Sequence, residues 1–139
     1  MKIPGLRAAD ELVGGIAHFG RMLDKIRLNA AGTLPKGYFL GDEDFTWWDA
    51  RCSRFFKISY HDLADQVRQG IDDDAALEWC FTNGRKPGAE DIEIWNSFIL
   101  KRGWRDESSA GLQADKEAAG LGDRDDIVTF VELFKAEES

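Results

Sequence analysis

Trp47, Arg51 and Arg54 follow one another at intervals of four and three residues, a spacing that puts all three on one side of a helix. An indole flanked by guanidinium groups suits a carboxylate, a phosphate or a stacked flat anion, through bidentate hydrogen bonds and cation–π contact. A second group of the same kind is Lys101-Arg102-Gly103-Trp104-Arg105, at the end of an apolar helical stretch. Cations there complement the negative end of the preceding helix dipole, and they also form a basic, aromatic-bearing loop able to grip an anion. Arg21 and Lys25 form a third group on one helix face, opposite the apolar stripe and beside Asp24. Either cation is expected at the rim of a cleft. The candidate ligand-binding set is therefore Arg21, Lys25, Trp47, Arg51, Lys101, Arg102, Trp104 and Arg105. The architectural alternative has Trp47 covering a neighbouring element with arginine stems alongside, and Arg21 and Asp24 as a surface pair of little energetic value.

Catalytic signatures are sparse. Gly14-Gly15 and Gly20 lack the Lys-Ser/Thr ending of a phosphate loop. Neither Cys52 nor Cys80 belongs to a C-x-x-C pair, and the two histidines are not at metal-ligand spacing, so no metal and no cofactor is expected. The acidic clusters at 42–44, 72–74 and 123–126 lack the spacing of a calcium loop and read as helix caps. His18 lies beside Arg21 and Lys25, cations expected to discourage its protonation, and His61 falls in the first turn of a helix. The preferred reading is a non-catalytic module for an anionic small molecule or an acidic protein partner. The alternative is a small enzyme on an anionic metabolite, with His18 or Asp24 as base.

Charge sets limits on partners. Eighteen Lys and Arg against 26 Asp and Glu give a formal net charge of −8, which argues against nucleic acid as a partner. The imbalance is uneven: residues 1–60 carry nine basic and seven acidic side chains, and residues 61–139 carry nine and 19. A local basic patch would then focus an anion on an otherwise acidic surface. No apolar run approaches the ~18 residues of a membrane span, the N-terminus has no signal-peptide apolar stretch, and two cysteines are too few for a disulfide scaffold. The expectation is a cytoplasmic protein with both thiols reduced and buried.

The elements that must position these residues read as helices throughout. At 139 residues with 43% hydrophobic side chains, the chain fits one domain spanning 1–139. Glycines at 32, 70, 84, 103 and 120 each follow an apolar-periodic stretch, as helix terminators do, and nothing alternates with the period of a strand. The pattern predicts a single compact all-α domain of six to seven helices with short loops. Helices are expected over about 16–31, from a cap at Asp42 to Phe56, after a Ser59 capping box, after Asp72, over about 89–102, over about 107–119, and from near Asp125. Trp95 and Phe98 are both expected in the core, and Asn96, on the same apolar face, must find hydrogen-bond partners there.

Several motifs occur in order along the chain: Arg21-Met-Leu-Asp-Lys-Ile-Arg27 before Ala30-Ala-Gly, Glu93-Ile-Trp-Asn96, Lys101-Arg-Gly-Trp-Arg-Asp106, and Asp125-Asp-Ile127 before Phe130. Together they resemble a family of small bacterial proteins known as a domain of unknown function. The resemblance spans nearly the whole chain and implies a single-domain bacterial protein of this length. It brings no catalytic residue, substrate or cofactor with it.

Overall fold

The computed structural model describes residues 1–139, and its regular structure is helical. Seven helices follow in order: α1 Phe19–Ala30, α2 Trp48–Phe56, α3 Tyr60–Arg68, α4 Asp73–Asn83, α5 Ala89–Lys101, α6 Ser109–Ala118 and α7 Phe130–Glu137. Helix α1 packs on α3, α3 on α2 and α4, and α5 on α7. One large core gathers Phe19, Met22, Leu23, Phe56, Leu63 and Ile99, while Leu112, Ile127 and Leu133 form a small satellite under α6 and α7. The chain is thus a single all-α domain.

Local chemistry starts several helices where the sequence indicates. The Ser59 hydroxyl accepts from the Asp62 amide, and Asp72 accepts from the Ala75 amide, each satisfying a donor with no partner inside its helix. Three expected starts move. Helix α1 begins at Phe19 rather than Ile16, because Gly14 and Gly15 take positive φ and fold Val13 back onto Ile16. The positive φ at Gly14 favours glycine, and a side chain there would also displace the end of Leu77. Helix α2 begins at Trp48, not after Asp42, and Phe45 lies exposed instead of on the buried stripe. Helix α7 begins at Phe130, capped by Thr129, while Arg124 and Asp126 pair with each other in the loop before it.

The start of α1 is set from a distance. Trp95 donates its indole N–H to the Ala17 carbonyl at 2.9 Å. Next to it, the Asn96 side chain accepts from the Ala17 amide and donates to the Gly15 carbonyl, both at 2.9 Å. Helix α5 therefore clamps the turn that leads into α1, and His18, the residue that follows, is held in the left-handed region at φ 68°. A non-glycine residue rarely adopts that conformation unless its surroundings impose it.

Both cysteines are buried with free thiols, on the inward stripes of α2 and α4. Trp95 is buried, whereas Phe98 is half-buried at the edge of the core, so the expectation that both are core residues holds for Trp95 alone. Trp95→Ala should accordingly lose about 3–5 kcal/mol of stability in urea denaturation, as large buried aromatics do, and Phe98→Ala distinctly less. Equal losses for the two would contradict this difference in burial.

Candidate functional site

Helix α1 carries His18, Arg21, Asp24 and Lys25 on one face, and the fold buries all four. Their partners come from distant elements. Asp49, on the first turn of α2 and 1% exposed, receives His18 Nε2 at 2.8 Å and Lys25 Nζ at 2.9 Å on one carboxylate oxygen. The Gly41 amide donates to the other oxygen at 2.9 Å. Lys25 also donates to the Phe39 carbonyl at 2.6 Å. Arg21 makes a bidentate pair with Glu138, at 2.8 and 2.6 Å, and Tyr38 donates to the same carboxylate. Asp24 accepts from the Arg7 backbone amide and, twice, from its guanidinium, and Arg7 reaches on to Asp73.

The charges in this interior settle each other. Burial lowers the His18 pKa to about 4, outweighing the opposite pull of Asp49. Burial alone would raise the Asp49 pKa, but Lys25 and the His18 hydrogen bond keep it below its ordinary value. A carboxylate accepts only, so the neutral imidazole carries its proton on Nε2 and leaves Nδ1 as a lone pair with no partner. His18 thus shares its proton-bearing edge with an ion pair and has no route to solvent. Asp24 is saturated by Arg7. Neither has the access to a reacting group that a general base needs. Arg21 and Lys25, read from sequence as cations at a cleft rim, are instead interior ion-pair partners.

A cationic groove lies on the outer side of α2, where it meets α5. It has a volume of about 430 Å³, and its walls include Arg51, Arg54, Arg85, Ile94, Trp95 and Phe98, with one acid, Asp91, among them. The Arg51 guanidinium lies 5.2 Å from the centre of the Phe98 ring, and that of Arg102 lies 4.9 Å from the same centre. Arg51 donates to the Thr46 carbonyl and Arg54 to the Phe45 carbonyl; neither forms an ion pair, unlike Arg85 with Asp91 and Arg102 with Asp106. Partial burial, with Arg102 and Arg54 close by, lowers the Arg51 pKa from its ordinary value. Such a cluster is electrostatically uphill until an anion arrives.

Sequence reasoning identified Arg51 and Arg102, and the fold brings these two together. Trp47 instead stacks flat on Phe39, with ring centres 4.7 Å apart. Lys101 is exposed at the end of α5, and Trp104 and Arg105 pair with each other in the turn beyond it. Arg85 was missed, for it belongs to no periodic stretch. It enters the groove because α4 ends against α2. A side chain at Gly84 would strike the Phe56 carbonyl, and the Arg85 amide and Nε donate to the carbonyls of Phe56 and Phe55. A smaller cavity of about 160 Å³, between α1, α3 and the 40–43 loop, holds Asp42, Glu43, His61 and Arg68, a charge mixture that does not favour an anion.

The depressed His18 pKa makes a pH prediction. Unfolded, His18 takes up a proton near its ordinary 6.5; folded, it resists until about 4. The unfolded state therefore binds more protons across that window, and stability falls as the pH drops through it. His18→Gln, followed by urea unfolding at several pH values, should flatten this slope. An unchanged slope would place its origin elsewhere.

No curated protein matches the chain. The sequence profile described as Domain of unknown function (DUF5069) matches residues 3–139, nearly the whole domain including both the buried charge cluster and the groove. The chain belongs to that family.

Proposed function

We propose that this protein is a non-catalytic binding module that takes an anion in the groove between α2 and α5. The observation that carries the reading is the convergence of Arg51 and Arg102 on Phe98 without an acid paired to Arg51. Arg54 adds a second guanidinium without an ion pair, on an otherwise acidic protein of net charge −8. Guanidinium groups over aromatic rings are pre-oriented, so little freedom is lost when an anion docks. The interior location of His18 and Asp24 favours binding over catalysis. Two buried free thiols support a reducing, cytoplasmic setting, and no helix is long and apolar enough to cross a membrane. A bacterial source rests on the family resemblance.

Trp95 lines the groove and serves as an internal reporter. Titration with inorganic phosphate and with citrate should change tryptophan fluorescence saturably. Arg51→Ala should weaken that response about ten-fold, the worth of one charged hydrogen-bonding partner. Added sodium chloride should weaken it as well. A wild-type response that Arg51→Ala and Arg54→Ala both reproduce unchanged would rule the groove out.

A further inference from the structure

The groove floor is an aromatic ladder with cations at both ends. Arg85 lies 5.1 Å from the Phe55 ring centre; Phe55 stacks on Trp95 at 5.0 Å and 20°, and Trp95 on Phe98 at 6.4 Å and 28°. Arg51 and Arg102 close the far end over Phe98. Between the cationic ends Ile94 stands 63% exposed, beside the half-buried rings of Phe55 and Phe98 and the edge of the buried Trp95. In the loop before α2, Phe45 is 69% exposed beneath the Arg54 guanidinium, whose centre is 3.6 Å from the middle of its ring. A single small anion would engage one end of this strip and leave the apolar middle wet. Exposed aromatics and arginines set around an apolar centre are the composition of a protein-binding hot spot.

We infer that the occupant of the groove is an acidic segment of a partner protein, with acidic side chains at both ends of the contact and an apolar side chain between them. This rests on the anion-groove reading and specifies its ligand. The segment's acids meet Arg51 at one end, beside the Arg102–Asp106 pair, and Arg85 at the other, where they compete with Asp91; its apolar residue lies on Ile94 and the Trp95–Phe98 edge. Charge complementarity selects the segment, and the apolar centre supplies the affinity that a rim of exposed charges does not.

The test compares three probes by fluorescence titration and calorimetry: inorganic phosphate, a twelve-residue synthetic peptide with Asp and Glu flanking a central Phe, and the same peptide with Ser replacing Phe. The Phe peptide should bind about ten-fold tighter than the Ser peptide, corresponding to the burial of part of one aromatic side chain. Ile94→Ser, a change at an exposed position, should remove that preference. Arg51→Ala should weaken all three. Phosphate binding with no preference for the Phe peptide, or a preference that survives Ile94→Ser, overturns the inference and leaves the anion groove standing. Failure of all three probes to bind overturns both.

Discussion

A single carboxylate, that of Asp49, joins the parts of this fold that sequence neighbours do not. It ties His18 at the head of α1, Lys25 two turns later and the Gly41 amide of the long 31–47 connection to the first turn of α2. The Asp49 carbonyl also accepts from Ser53. Taking a carboxylate and an ammonium out of water costs several kcal/mol each, and the cost is offset only when geometry is good and the remaining lone pairs are filled. Here the contacts are 2.6–2.9 Å, and one atom of the cluster, His18 Nδ1, is left without a partner. Removing any one member would strand the others in a medium that cannot solvate them.

The groove is a consequence of that arrangement. Asp49 fixes the rotation of α2 about its axis, with Cys52 and Phe56 inward and Arg51, Arg54 and Phe55 outward. The clamp of Trp95 and Asn96 on residues 15–17 fixes α5 from the other side. Phe98 and Ile94 follow Trp95 on α5 by helical spacing and reach the groove. Two kinds of charged site therefore coexist. In the interior cluster on α1, Arg21 is paired with Glu138 and Lys25 with Asp49. On the α2–α5 surface Arg51 and Arg54 have carbonyl contacts alone, and the contrast gives the surface site its meaning.

How much of this was legible in the sequence follows from how local each feature is. The all-α class and the helix starts at Ser59 and Asp72 depend on caps within four residues, and sequence reading finds them. The start of α2 does not: Trp47 offers no side-chain cap, and the helix begins where Asp49 and the Phe39–Trp47 stack hold it. Asp42 looked like its cap but is free of that role. His18 in the left-handed region is imposed by α5, nearly eighty residues away, and no local pattern encodes it. The site divides along the same line. Helical spacing placed Arg51 on the outer face of α2 and put Arg102 at the end of α5. That these two ends meet over Phe98, and that Arg85 joins them, is a matter of helix packing. Arg21 and Lys25 looked like surface cations because their acids, Glu138 and Asp49, lie on other elements.

The most direct measurement of the central claim is the unfolding free energy of Asp49→Ala in urea, compared with wild type. With Lys25 and His18 left facing an empty interior position, the loss should be about 3–5 kcal/mol, the cost of breaking a buried pair by removing one partner. A loss below about 1 kcal/mol, the range of a surface ion pair, would contradict the account and show that packing alone holds α2 on α1.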